Sequence, residues 1–217
     1  MKTHFIKFHI ALAVIAFLST SALSQELKSI KLPEPETNGG KPLMDVLVER
    51  KSSRTFSTKP IPLQMISNLL WAANGINRPD SGKRTAPSAH NWQETDIYLA
   101  NAEGLYVYDA KSHALNPVLS KDIRAETGVQ KFVKSAPVNL VYVADLSKMG
   151  DASPEDKTLY SAANTGFISQ NVYLFCASEG LSTVVRAWID KDKLTGIMKL
   201  KPSQKIILAQ TIGYPGK

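Results

Sequence analysis

The chain has 217 residues, of which 43% are hydrophobic and 21% are charged, and its formal net charge is +7. This composition is typical of a globular domain with a buried core. The basic residues form no block of about five or six like charges, and the single cysteine excludes zinc-finger spacing and an intramolecular disulfide. We therefore expect no binding of nucleic acid.

Residues 1–24 have the pattern of a signal peptide. Lys2 and Lys7 form a basic region, the apolar run IALAVIAFLS follows, and the small residues of ALS precede the predicted cleavage between Ser24 and Gln25. The run is shorter than the roughly 20 residues of a transmembrane helix. We therefore expect a periplasmic or secreted protein with no membrane span in its mature form.

Residues 25–42 predict an extended N-terminal arm, because they contain proline, glycine and charge without periodicity. Residues 43–217 would then form the single domain. Apolar residues at helical spacing predict a first helix from Leu43 to Val48, and a second helix that begins after Pro62 and ends at Gly75. The polar segment 77–94 is long for a loop, which indicates a functional or disordered segment.

The second half of the chain predicts strands that come singly or as a hairpin between helices. DIYLA and LYVYD, joined by NAEG, predict a hairpin, and VNLVYVA predicts a buried strand. A long helix is expected from Lys157 to Ser178, with Gly180 as its C-terminal cap. STVVRAW then predicts an extended segment, DKDKLTGIMKL a short helix and KIILAQTIG a last strand. This alternation favours an α+β domain with a mixed sheet.

Three segments contain side chains suited to a binding site. VERKSSRTFS places cations and hydroxyls that fit a phosphate at the end of the first helix, although a solvated helix end is the better explanation when the segment is taken alone. In APSAHNWQ, the amides of Asn91 and Gln93 can bind the edge of a flat heterocycle. SEGLST follows the long helix, where exposed backbone groups can meet a ligand.

Other kinds of site are poorly supported. His90 has no second histidine nearby, so a metal site is not expected. The sequence contains no G-x-S-x-G, Walker A or G-x-G-x-x-G motif. Cys176 lies in an apolar helical pattern, which predicts an inert buried thiol rather than a catalytic one.

Taken together, four segments resemble the nitroreductase family of flavin enzymes in order and spacing: ERKSSRTF, APSAHNWQ, GFISQNVYLFCASEGLS and IGYP. The resemblance runs from about Asp45 to Pro215. It implies an α+β, three-layer fold with a central mixed, mainly antiparallel sheet flanked by helices. It also implies an intertwined homodimer that holds FMN between its subunits.

In that family the arginine-rich segment binds the FMN phosphate and ribityl chain. The Pro-Ser-x-x-Asn loop borders the isoalloxazine ring, and the Glu-Gly-Leu turn approaches the reactive flavin edge with main-chain groups. The resemblance therefore implies these cofactor-binding residues: Arg50, Lys51, Ser52, Arg54, Pro87, Ser88, Ala89, Asn91, Glu179, Gly180 and Leu181. It implies no catalytic side chain and no metal, since the chemistry belongs to the flavin.

The chain departs from the family pattern at two places. Glu94 stands where many members have proline after the loop glutamine. Many members also carry a basic residue beyond the GYP segment that helps to hold the phosphate, and here only Lys217 could take that role.

The implied activity is ping-pong transfer of hydride or electrons through the flavin, to or from a small organic substrate such as a nitroaromatic or a quinone. The electron donor would be NAD(P)H or another reductant, but export separates the protein from cytosolic NAD(P)H. Three alternatives therefore stay open. One is a flavin-binding or flavin-storing protein without turnover. Another is a dehydrogenase of azoline rings in peptides, a branch that LLWAANGIN and GLYVYDAKSHAL resemble. The third is a basic module that binds anionic surfaces.

Overall fold

The structure, a computed structural model, describes residues 27–217. The predicted signal peptide and its cleavage point lie outside the described residues. Four α-helices and nine strands follow one another in this part of the chain: β1 Ile30–Lys31, α1 Leu43–Glu49, α2 Leu63–Asn74, β2 Ile76–Arg78, β3 Lys83–Arg84, β4 Thr95–Ala100, β5 Leu105–Asp109, β6 Ala114–Leu119, β7 Val138–Asp145, α3 Pro154–Ser178, β8 Ser182–Arg186, α4 Lys191–Met198 and β9 Gln204–Gly213.

Seven of the strands form one sheet in the order β1-β6-β5-β4-β7-β9-β8. The interior strand β7 pairs Val141 with Tyr98 of β4 on one side and with Ala209 of β9 on the other. The predicted α+β class is confirmed. The mainly antiparallel character of the sheet is confirmed as well. Within residues 27–217 each pair of neighbouring strands in this sheet is antiparallel, so the parallel pair that a mixed sheet would contain does not occur there.

Both faces of the sheet are covered, which makes three layers. The helices α2 and α3 pack on one face over a core that includes Leu70, Leu99 and Val172. The shorter α4 packs on the other face, where Leu194 contacts a second core. β7 contributes side chains to both cores and is buried along almost its whole length. Such burial on both faces explains why its sequence is a continuous apolar run rather than an alternating one.

The boundaries of the helices follow local chemistry. α2 begins at Leu63 after Pro62 and ends at Gly75, as predicted. α3 begins three residues earlier than expected, because the Ser153 hydroxyl accepts a hydrogen bond from the Asp156 amide and Pro154 occupies the first helical turn. Within residues 27–217, no helix combines the length and apolar character that a membrane span needs.

The arm crosses the helical layer and is held at both ends. Its short strand β1 pairs with β6 at the edge of the sheet. The Pro33 carbonyl accepts from the Ser67 hydroxyl of α2, and the Glu36 amide donates to Asn68 Oδ1. The Lys41 amide then donates to Ser178 Oγ at the end of α3. Residues 27–42 are therefore bound at several points along their length.

Candidate functional site

A cavity of about 530 Å³ lies between the end of α1 and the start of β8. One wall is formed by the residues that end and follow α1, among them Arg50, Lys51 and Ser53. The opposite wall is formed by the last part of α3 and the turn into β8. The residues of that wall are Tyr173, Ala177, Gly180, Leu181, Ser182 and Thr183, and Pro215 completes the lining. The structure thus brings together the first and third segments that the sequence singled out.

Backbone hydrogen bonds hold the basic segment in place. The Arg50 amide donates to the Val46 carbonyl at 2.9 Å and closes α1. The Ser53 amide donates to the Thr183 carbonyl, also at 2.9 Å, which fastens the segment to β8. Further along, Phe56 bridges to Pro215. The segment is therefore attached both to β8 and to the residues that follow β9.

Tyr173 of α3 lies between the two walls. Its hydroxyl is 2.8 Å from Ser52 Oγ and accepts a hydrogen bond from the Val185 amide at 2.9 Å. The Arg50 guanidinium carbon lies 5.3 Å from the centre of the Tyr173 ring, which is a cation–π distance. Tyr173 is not among the site residues predicted from the sequence. Its hydroxyl within the otherwise apolar run VYLFCA was the available signal.

The cations of the basic segment are free to meet an anion. Within residues 27–217, no carboxylate lies within 4.0 Å of the charged groups of Arg50, Lys51 or Arg54. Lys51 and Arg54 are exposed, and Arg50 is half-buried against Tyr173. Ser52 and Arg54 flank the cavity wall in sequence but do not line the cavity.

The turn after α3 exposes backbone to the cavity. Gly180 has φ 68°, a left-handed conformation that residues with a side chain rarely adopt, and the Leu181 amide donates to the Cys176 carbonyl at 2.8 Å. Gly180 and Leu181 line the cavity, whereas Glu179 does not. Cys176 itself is fully buried, and burial raises the pKa of its thiol well above the usual range. This agrees with the inert thiol that the sequence predicts.

The loop with Pro87, Ser88, Ala89 and Asn91 lies elsewhere on the chain. The Ala89 amide donates to Asn164 Oδ1, in the first half of α3, at 3.2 Å. Asn164 and Ala177 are 13 residues apart on this helix, which corresponds to about 20 Å along its axis. Within a single chain, the loop contact at Asn164 and the cavity residue Ala177 are therefore separated by about half of the length of α3.

The loop has a defined but unusual backbone. His90, Asn91 and Gln93 have φ values of 50°, 53° and 48°, in the left-handed region. The Ser88 hydroxyl accepts from the Gln93 amide, and Gln93 Nε2 donates to Asn91 Oδ1 at 3.0 Å. Arg84 holds the other side of Gln93 through a 2.9 Å hydrogen bond to Oε1. Residues held in sparsely populated conformations by surrounding bonds are frequent in binding sites.

The part of the chain that the structure describes contains no group of three or more histidine, cysteine or acidic side chains suited to a metal ion. Lys217 is exposed and lies two residues beyond Pro215 of the cavity lining.

Comparison with known proteins identifies the family. The model of the Nitroreductase family matches residues 47–214. A nitroreductase homologue of Methanocaldococcus jannaschii is 31% identical over 170 residues, which cover 73% of this chain and 85% of that protein.

Two solved structures share the fold. A nitroreductase homologue of Ralstonia eutropha JMP134 superposes with a TM-score of 0.85 at 43% identity, over 90% of this chain and 92% of that one. The NADPH:FMN oxidoreductase of Vibrio harveyi, solved with NAD⁺, has a TM-score of 0.59 at 19% identity, over 81% of this chain and 69% of that one. The resemblance seen in the sequence is confirmed, and the chain belongs to the nitroreductase family of oxidoreductases.

Proposed function

We propose that this protein is an exported, homodimeric, FMN-dependent oxidoreductase that transfers hydride or electrons to or from a small organic substrate. The observation that carries the proposal is the cavity between α1 and β8. Its wall presents Arg50 and Lys51 without a carboxylate partner within residues 27–217. Family membership then favours a flavin phosphate as the anion, and the Vibrio harveyi neighbour is named for its use of FMN.

The residues of the cavity fit such a cofactor. Its volume of about 530 Å³ lies within the range of roughly 300–1,000 Å³ that is usual for cofactor and ligand sites. The guanidinium of Arg50 can bind phosphate oxygens through two parallel hydrogen bonds, and Lys51 adds a second positive charge. The Tyr173 ring restricts the position of Arg50, so less freedom is lost when the phosphate binds.

Bound FMN would supply the hydride and electron chemistry, for which no protein side chain is suited on its own. The task of this chain is to bind and orient the cofactor. Gly180 and Leu181 bring main-chain groups to the cavity wall because the left-handed turn leaves room for them. Pro87, Ser88 and Asn91 would border the ring system, as the family resemblance implies.

A homodimer is the assembly in which these two groups of residues can meet. In one chain they lie roughly 14–20 Å apart along α3, from Asn164 to the lining residues Tyr173 and Ala177. The loop of one subunit would therefore have to face the cavity of the other. The exposed apolar residues support this arrangement: Met44 and Val48 of α1 are 70% and 86% exposed, and Leu159 and Phe167 of α3 are 62% and 47% exposed. A dimer interface would bury such a surface.

The location and the electron donor are part of the proposal. The N-terminal pattern favours the periplasm or secretion, where NAD(P)H is scarce, so a different reductant is the better match unless the protein meets NAD(P)H elsewhere. The substrate could be a nitroaromatic, a quinone or, as in the azoline-oxidising branch, a ring within a peptide.

The cofactor assignment is tested by adding FMN to the purified protein and recording its absorbance. We expect a bound-flavin spectrum with about one FMN per chain. A spectrum identical to that of free FMN, together with no retention of the yellow colour on gel filtration, would rule out the cofactor.

Turnover is tested separately, because the same family features would serve a flavin-storing protein. We expect holoprotein reduced with dithionite to pass electrons to a quinone or a nitroaromatic much faster than free reduced FMN does. Equal rates would favour the flavin-binding protein without turnover.

A further inference from the structure

Glu94 is a buried carboxylate beside the proposed flavin loop. Its side chain is 0% exposed, directly before β4. Oε1 accepts hydrogen bonds from Asn164 Nδ2 at 3.0 Å and from Thr95 Oγ1 at 3.4 Å. Oε2 has no hydrogen-bond partner among the described residues. Buried carboxylates are costly, and an apolar residue would fill this position at a lower cost.

The carboxylate fixes the orientation of the Asn164 amide. Asn164 Oδ1 accepts from the Ala89 amide at 3.2 Å, and Nδ2 donates to Glu94. An amide side chain can be turned by 180°, which would point its NH₂ group at the Ala89 N–H and break both bonds. A carboxylate oxygen that accepts a hydrogen bond from Nδ2 prevents this rotation of the amide. Glu94 therefore controls which atom Asn164 offers to the loop.

The hydrogen bond from the Ala89 amide to Asn164 holds the loop next to its least favourable backbone conformations. Ala89 precedes His90 and Asn91, whose left-handed φ values are unfavourable for residues with a side chain. Gln93 and Arg84 hold the far side of the same turn. Asn164 is the α3 side chain that bonds the loop backbone on the near side.

We propose that Glu94, acting through Asn164, is a positioning residue that sets the Ala89–Asn91 turn in the conformation that borders the flavin ring. This inference rests on the proposed function. It gives a role to Glu94, which stands where many family members have proline.

The test uses a reciprocal exchange of donor and acceptor. Asn164→Asp places two carboxylates against each other and should weaken FMN binding at least about tenfold, because residues in contact couple strongly. Glu94→Gln keeps an oxygen for Asn164 and should change binding by less than about threefold. In the double variant Glu94→Gln/Asn164→Asp, the glutamine NH₂ donates to the aspartate, which still accepts from Ala89. Binding should then return to within about threefold of the wild type.

The readouts are the FMN dissociation constant, from flavin fluorescence, and the midpoint potential of the bound flavin. Asn164→Asp should shift the potential and the double variant should restore it. Tyr142→Phe is the control, since it removes a buried hydrogen bond to Gln210 away from the loop. It should lower stability in urea and leave the potential unchanged.

The outcomes separate the two proposals. Wild-type protein that binds no FMN overturns the proposed function. Wild-type protein that binds FMN, with an affinity and potential that Asn164→Asp does not alter, overturns only the positioning role. A double variant as impaired as Asn164→Asp overturns it as well.

Discussion

At the scale of single residues, Tyr173 connects the two walls of the cavity. Its ring faces Arg50 and its hydroxyl joins Ser52 to the backbone of β8. The helical period predicts that Tyr173 lies on α3 but not which loop it meets, because that depends on how α1 packs against the end of α3. The basic segment could be predicted from its residue types, whereas its tyrosine partner needed the tertiary structure.

Arg50→Ala should weaken FMN binding. Each charge-assisted hydrogen bond to phosphate contributes about 1.5–3 kcal/mol, so the dissociation constant should rise at least about tenfold, as measured by fluorescence titration. Lys121→Ala removes one exposed positive charge outside the cavity lining and serves as the control. Equal affinity in the two variants would contradict the phosphate assignment.

Alanine substitutions at Gly128 and Gly196 should change the free energy of unfolding in opposite directions. A Cβ on Gly128 would overlap Arg186 Nη1, whose guanidinium is buried and donates to the Thr127 carbonyl and to Asn139 Oδ1. Gly128→Ala should therefore lower the free energy of unfolding by about 1–3 kcal/mol.

Gly196 lies in α4, and a Cβ there would meet nothing within 4 Å. Gly196→Ala should raise the free energy of unfolding by about 0.5–1 kcal/mol, since alanine loses less backbone freedom in a helix. Urea denaturation measures both changes. A lower free energy of unfolding in Gly196→Ala would contradict the open space around this position.

At the scale of elements, His113 fastens the arm to α2 and to the sheet. Its Nε2 lies 2.7 Å from Ser67 Oγ and its Nδ1 lies 2.9 Å from the Tyr108 hydroxyl. Ser67 also donates to the Pro33 carbonyl of the arm. Burial lowers the pKa of His113 below its usual value, although the Pro33 carbonyl and Glu34 oppose this effect.

The protein should lose stability as the pH falls through the range of this histidine. Because the pKa of His113 is lower in the folded protein than in the unfolded chain, its contribution is fully present above about pH 6.5 and is lost towards acid. The slope is at most about 1.4 kcal/mol per pH unit.

Urea midpoints at pH 7.5 and 5.5 measure this loss, and His113→Gln should reduce it. The comparison of the two proteins removes the contribution of every other group, since both proteins contain them. An unchanged pH dependence in the variant would exclude His113 as its source.

The strands also show which elements could be predicted from the sequence and which could not. The central strands β4, β5 and β7 could be predicted, because their apolar runs reflect burial. β6 contains Pro117 and β1 has only two residues, and both depend on pairing with a neighbour that the sequence does not reveal. The polar segment after α2, predicted as a functional or disordered loop, contains the small hairpin of β2 and β3, whose short strands lack the apolar alternation that predicts a strand.

At the scale of the whole molecule, the resemblance to the family predicted more than periodicity did. Periodicity favoured an α+β class, while the resemblance also implied the three layers, and the structure has them. The separation of the predicted site residues along α3 could not be derived from one sequence, because the order of the segments in the chain does not reveal which part of the helix each segment contacts.

A single charge on the exposed face of α1 should break the proposed dimer. Met44→Glu places a carboxylate in the surface that we expect a second subunit to bury, and burial of an unpaired charge is costly. Sedimentation should show a monomer, and FMN affinity should fall with dimer dissociation because each site needs both chains. Val118→Glu, on the exposed part of β6, is the control. A dimer that survives Met44→Glu would place the interface elsewhere.

The position of β9 in the sheet determines when the sheet can be completed as the chain is synthesised. β7 is an interior strand of the sheet, and its second edge is filled by residues 204–213, which are synthesised after the other strands of the described sheet. β8 pairs only with β9 in the described sheet. Until those residues emerge, the nascent chain can form the β4–β5–β6 meander but cannot close the sheet, since such long-range pairing comes late and is slow. A chain built in this order cannot complete its sheet before β9 has been synthesised, and under the proposed export this delay would keep the earlier strands unfolded for passage across the membrane.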